Sequence, residues 1–146
     1  PTHTFFGQKD AQQLFIIKKL ICDLNYNIEC VSVKTIRNDS GLALSSRNKY
    51  LSKKDQQNAA VIYSGLLKVK EALDLKENNV KNLLKIFTAH INQTKKLTID
   101  YLAFSSLQTL NDVGPTIKES VLISTAVYIN SVRLIDNIIY TLESPD

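Results

Sequence analysis

Thr4-Phe5-Phe6-Gly7-Gln8-Lys9-Asp10-Ala11-Gln12-Gln13 reads as a short strand that turns directly into a helix. From Asp10 to Leu24 the apolar residues Leu14, Ile17, Ile21 and Leu24 recur at helical spacing, with Lys18, Lys19 and Asp23 turned away. Asn25-Tyr26-Asn27 breaks that pattern, and Ile28-Glu29-Cys30-Val31-Ser32-Val33 then alternates as a strand. Strand, helix and strand in this order predict a parallel crossover unit, the last repeat of a doubly wound α/β sheet.

The chain then changes character. Residues 34–51 follow neither period and contain the turn cluster Asn38-Asp39-Ser40-Gly41, so they read as a loop rich in hydrogen-bond donors. Without a periodic apolar face, the part from about Arg37 to Lys49 is expected to be the most mobile stretch. Ser52-Lys53-Lys54-Asp55 resembles a capping box, and the helix it opens places Ile62, Leu66, Val69 and Leu73 on one face. A further helix over about Asn79–Gln93 buries Val80, Leu83, Leu84, Phe87 and Ile91. Three strand-like runs follow, Thr98–Phe104, Ser120–Ile129 and Val132–Thr141, the last two joined by Asn130-Ser131. Two helices and a three-stranded antiparallel sheet predict a small α+β domain, and everything from Ser52 onward is expected to fold as a unit.

Two segments gather positive charge and donors where the chain reverses. Lys9 and Asp10 lie at the strand-to-helix turn, where helix N–H groups and partial positive charge favour an anion. Lys9 is at the wrong end of that helix for its own dipole, and a bound phosphate would remove the conflict. Asp10 can accept hydrogen bonds from a ribose or simply cap the helix. Leu44-Ser45-Ser46-Arg47-Asn48 offers two hydroxyls and a guanidinium, which binds phosphate bidentately. Serine-rich turns and first-turn glutamines such as Gln12 and Gln13 are also common solvated surface. Read from the residues alone, anion binding and plain surface both remain open.

Composition narrows the partners. The chain has 146 residues, is 44% hydrophobic and carries a net charge of +4, enough for one compact domain or a small domain plus part of another. The lysines are scattered rather than clustered, which argues for a solvated surface and against nucleic acid. No run approaches a membrane span, and no signal-peptide pattern opens the chain. Cys22 and Cys30 match neither a metal nor a redox spacing, so reduced thiols in a cytoplasmic protein are the simpler reading. No His/Cys/Asp cluster has metal-ligand spacing, and His3 and His90 read as structural or exposed.

Gly7-x-Lys9-Asp10-x-Gln12-Gln13, then Gly41-Leu42-Ala43-Leu44-Ser45-Ser46-Arg47-Asn48-x-Tyr50-Leu51, and late in the chain Val132-Arg133-Leu134-Ile135-Asp136-Asn137, together resemble the second half of the bacterial pantothenate synthetases (pantoate–β-alanine ligases). Order and spacing agree over nearly the whole chain. Gln8 and Ala11 depart from the family's commoner glutamate and tyrosine, at positions where the resemblance implies no side-chain contact to ligand.

The resemblance implies a C-terminal remnant of a Rossmann-like ATP-binding domain over residues 1–36 and a small α+β lid domain over residues 37–146. It implies that the N-terminal half is absent, with the His-x-Gly-His segment that the family's nucleotide site needs. The chain opens on Pro1 and contains no Met, which fits that expectation. ATP is implied at Gly7, Gln8, Lys9 and Asp10. Backbone contacts to adenine are implied at Ile36 and Leu44. Ser45, Ser46 and Arg47 match a mobile loop, the counterpart of the KMSKS loop of class I aminoacyl-tRNA synthetases, that closes over the triphosphate. Gln13 falls on the pantoate. Lys9, Ser45, Ser46 and Arg47 are thus the implied catalytic residues, and magnesium, arriving with ATP, would rest on phosphates and on groups outside this chain.

The implied reaction condenses pantoate with β-alanine through a pantoyl adenylate, giving pantothenate, AMP and pyrophosphate. Alone, the chain is expected to be inactive and prone to self-association. The alternative is a stand-alone anion-binding or interaction module.

Overall fold

The computed structural model describes residues 1–142. The chain divides into two compact units, Pro1–Ile36 and Arg37–Asp146.

In the first unit, β1 (His3–Gly7) leads through a 3-10 turn (Gln8–Asp10) into α1 (Ala11–Asp23), and the chain returns as β2 (Glu29–Val33). The two strands pair in parallel, with Phe5 opposite Val31 and Gly7 opposite Val33. The expected crossover is therefore present. Asn25 ends α1 in the left-handed region, with φ 51°, which asparagine tolerates better than most residues. Leu14 is buried, Ile17 and Ile21 are half-buried, and Leu24 is exposed. The helix is apolar on more than one face, because Ile16 and Leu20 are also 55% and 46% exposed.

The second unit holds the main core. The expected single helix after Ser52 is divided into α2 (Lys53–Ala59) and α3 (Val61–Asp74). At the division the Ala60 N–H reaches Gln57 O, three residues back, at 3.3 Å, and the next helical bond, Ser64 N–H to Ala60 O, is stretched to 3.5 Å. That tightened turn is why one apolar period yields two helices. The capping box is present in altered form: the Asp55 N–H donates to Ser52 Oγ, while the Ser52 hydroxyl donates to the Asp55 carboxylate at 2.8 Å. α4 (Val80–Ile91) starts at Asn79, whose side chain accepts from the Asn82 N–H.

β3 (Leu97–Ser106), β4 (Val121–Ile129) and β5 (Val132–Tyr140) form an antiparallel sheet in that order, with β4 central. Asn130 adopts φ 53° in the turn between β4 and β5. A bulge at Asp100 shifts the β3 register between Ile99 and Tyr101, re-aiming side chains at the sheet edge. The core joins Leu66 and Val69 of α3, Leu83, Phe87 and Ile91 of α4, and Val121, Ile123, Val127 and Ile129 of β4, all fully buried. Each such side chain adds roughly 1.5–3 kcal/mol by leaving water. Thr125 is the exception at the sheet centre, and its hydroxyl donates to Tyr101 O at 2.7 Å, satisfying a polar group that would otherwise be costly to bury.

Candidate functional site

The first unit positions Gly7, Gln8, Lys9, Asp10 and Gln13 within one strand-to-helix turn and the helix start that follows it. Gly7 ends β1 with extended backbone, and a Cβ there would meet nothing within 4 Å. Packing thus does not require its small size. Lys9 is half-buried in the 3-10 turn, just outside α1 rather than in its first turn. Asp10 occupies the N-cap position but makes no side-chain capping hydrogen bond, so the structural role considered for it is not filled. Gln12 and Gln13 both project to the exposed side of α1. Ile36, the last residue of this unit, is 65% exposed.

The second unit carries the other set. Ser45, in extended backbone, caps a 3-10 turn over Ser46–Tyr50, its Oγ accepting from the Arg47 N–H at 3.2 Å. Ser46 and Arg47 are exposed, as is Leu44. Arg47 Nη1 donates to Arg133 O of β5 at 2.9 Å. β5 is an edge strand, so its outward carbonyls lack a neighbouring strand, and Arg47 satisfies one of them.

Arg37 fastens the other end of the same segment. Its Nη1 and Nη2 bind the two carboxylate oxygens of Asp136 at 2.6 and 2.8 Å, and the pair is largely buried. The guanidinium also lies 3.5 Å over the Tyr63 ring and donates to Gly41 O. Only three arginines occur in the chain. Arg37 and Arg47 are both fastened to β5, and Arg133 belongs to it.

The stretch between them, expected to be a mobile loop, carries a set of side-chain hydrogen bonds. Asn38 Oδ1 accepts from the Ser40 hydroxyl and from the Ser40 and Leu42 N–H groups. Leu42 and Ala43 are 5% and 3% exposed, and Asn48 Nδ2 donates to Ala43 O. Gln56 of α2 reaches Asn48 O. These bonds run through side chains, so no apolar period announces them. Among the described residues, Asn48 Oδ1 is a buried acceptor without a protein donor.

The charged surroundings are ordered as well. Arg133 bonds Asp100 at the β3 bulge at 2.8–2.9 Å, which holds its already high pKa higher still. The Ser52 hydroxyl, with Lys96 and Asn130, holds the Asp55 carboxyl below its usual range against the opposing effect of burial. His90 accepts or donates a 2.8 Å hydrogen bond with Ser64, and burial together with Lys68 lowers its pKa. His3 pairs with Glu29 at an exposed site. Among the described residues no three His, Cys, Asp or Glu side chains converge as a metal site.

Sequence reasoning missed Arg37 and Asp136 as a pair. The available signal was a carboxylate at Asp136 next to Leu134, Ile135, Ile138 and Ile139 within one strand, where a buried charge demands a partner.

The family profile described as pantoate-beta-alanine ligase matches residues 1–139. Pantothenate synthetase of Carboxydothermus hydrogenoformans is 44% identical over 143 residues, covering 98% of this chain and 50% of that protein. The enzyme of the same name from Clostridium botulinum is 40% identical over 142 residues, with 97% and 50% covered. The crystal structure of pantothenate synthetase from Thermus thermophilus superposes with a TM-score of 0.85 at 33% identity, covering 94% of this chain and 49% of that one. That of pantoate-beta-alanine ligase from Francisella tularensis, complexed with beta-gamma ATP and beta-alanine, gives 0.62 at 32% identity, with 95% and 44% covered. The chain spans about half the length of the curated relatives it matches. The parallel crossover unit and these relatives together define an α/β fold shared with the pantothenate synthetases. The chain belongs to the pantoate-beta-alanine ligase family.

Proposed function

We propose that this chain supplies part of an ATP-dependent ligase that joins pantoate to β-alanine. The family match along residues 1–139 is the observation that carries the reading. In the first step the pantoate carboxylate attacks the α-phosphorus of ATP, and pyrophosphate leaves. In the second, the β-alanine amine attacks the acyl carbon of the pantoyl adenylate; AMP leaves, and the nitrogen gives up a proton. Neither step needs covalent attachment to the protein, so charge stabilisation and alignment supply the acceleration.

Lys9 is assigned to offset charge on the phosphates, with Gly7, Gln8 and Asp10 lining the nucleotide from the same turn. Ser46, Arg47 and the free O–H of Ser45 are assigned to the triphosphate, and the backbone at Ile36 and Leu44 to adenine. The Gln13 amide, exposed on α1, is assigned to the hydroxyl and carboxylate of pantoate. The described residues do not form a metal cage, so the magnesium that accompanies ATP is assigned to the phosphates and no step is routed through it. No helix among the described residues is long and apolar enough to cross a membrane. With Cys22 and Cys30 unpaired, a cytoplasmic setting fits.

The deciding assay is pantoate-dependent exchange of pyrophosphate into ATP by the intact protein. Exchange that requires pantoate supports the ligase. Binding of ATP or phosphate with no such exchange would return the chain to an anion-binding module. The 146 residues alone are expected to be silent; pantothenate formed by the purified chain would refute that expectation.

A further inference from the structure

Both ends of the segment Arg37–Arg47 are tied to one strand. Arg37 forks onto the Asp136 side chain, and Arg47 bonds the Arg133 carbonyl three residues earlier on β5. We propose that Arg37 and Asp136 are positioning residues that fix the Ser45-Ser46-Arg47 turn against the β5 edge and thereby set its geometry toward the phosphates of the nucleotide. The inference rests on the reading of that turn as a triphosphate contact.

Rigidity is what the pair provides. A planar guanidinium held by two hydrogen bonds and stacked on Tyr63 has little freedom to rotate. Asp136 is itself oriented, since its Oδ1 also accepts the Asn137 N–H at 2.8 Å. Arg37 passes this order on through Gly41 O and the antiparallel bridge from Arg37 to Ala43. From Ala43 it continues to Asn48 in the 3-10 turn through the Asn48 amide. The hydroxyl of Ser46 and the remaining nitrogens of Arg47 are therefore aimed by a buried pair that lies outside the turn itself. Lysine cannot replace Arg37 here, because an ammonium makes no fork and lies less well on a ring.

The test compares the parent with Arg37→Lys and Asp136→Asn in the intact protein, by pantoate-dependent pyrophosphate exchange and by thermal melting. A misplaced turn should raise KM for ATP or lower kcat by about tenfold or more, as small displacements of catalytic groups do, while KM for pantoate stays within about twofold. If a folded variant keeps all parental constants, the proposal is overturned. Equal losses for both substrates, in proportion to the folded fraction, would also overturn it, as would failure of both variants to fold, since the pair would then be purely structural. A parent that lacks exchange altogether refutes the ligase reading instead, and that arm is read first.

Discussion

Gly65 of α3 lies so close to Phe87 of α4 that a Cβ built on it falls 2.9 Å from the phenylalanine ring. The two helices meet here at closer range than any larger residue permits. Phe87 is fully buried and cannot swing aside. Gly65→Ala should gain roughly 1 kcal/mol of helix propensity yet lose about 1–3 kcal/mol to overpacking. A net drop in the urea midpoint with an unchanged m-value is the expected result. A rise would mean that the helices separate at little cost.

Lys9 lends itself to the opposite test. It sits in a short 3-10 turn outside α1 and is only half-buried, so its loss should scarcely alter folding. In the intact protein Lys9→Ala should slow pantoate-dependent exchange by roughly 10²- to 10³-fold, the usual consequence of removing one charge-stabilising group. Normal turnover with a much lower melting temperature would make Lys9 a structural residue.

His90 and the carboxylates predict two separate acid transitions. Burial first, then Lys68, lowers the His90 pKa below its ordinary 6.5 in the folded state. The folded protein therefore resists protonation that the unfolded chain accepts. The contribution is fully present above pH 6.5 and is lost as pH falls through that value toward the folded pKa. Asp55, lowered from 3.8, and Glu77, lowered from 4.5, contribute stability that is present above those values and lost below them. Melting temperature should fall first below about pH 6.5, and His90→Gln should remove that limb while leaving the more acidic one. An unchanged upper limb in the variant would assign it to another group.

Much of the fold was legible because it follows local periods. Ile28 to Val33 alternates and forms β2, Ser52 opens a helix, and Asn130-Ser131 turns β4 into β5. What escaped depends on pairs remote in sequence or on hydrogen bonds that leave no period. Arg37 and Asp136 are 99 residues apart, and nothing near either names the other. Asn38 orders its loop with one carbonyl oxygen, which composition alone presents as a flexible polar turn. The break at Ala60 is invisible for a different reason: alanine is the best helix former, and the division arises where the Ala60 N–H bonds three residues back, to Gln57 O, and the next helical bond is stretched. At the candidate site, sequence could name donors such as Arg47 but not that one of its nitrogens already serves Arg133 O.

The first unit predicts how the 146 residues behave when purified alone. Its sheet is a two-stranded parallel pair, a form normally buried inside a larger sheet with helices on both faces. Phe5 is 66% and Val33 41% exposed, and Ile16, Leu20, Leu24 and Tyr26 add apolar surface on and after α1. Both strands also keep an outer edge of backbone groups available for pairing. Lysines on α1 give some solubility, but Lys18 and Lys19 alone cannot cover so much apolar area. The chain should therefore pair with further copies, exchange its first segment between chains, or aggregate. Substituting Phe5→Lys should weaken this without touching the core of the second unit. Light scattering after size-exclusion chromatography, run over a concentration series, measures the outcome. One monomer mass at every concentration, with α1 amides protected from hydrogen exchange, would sink the expectation.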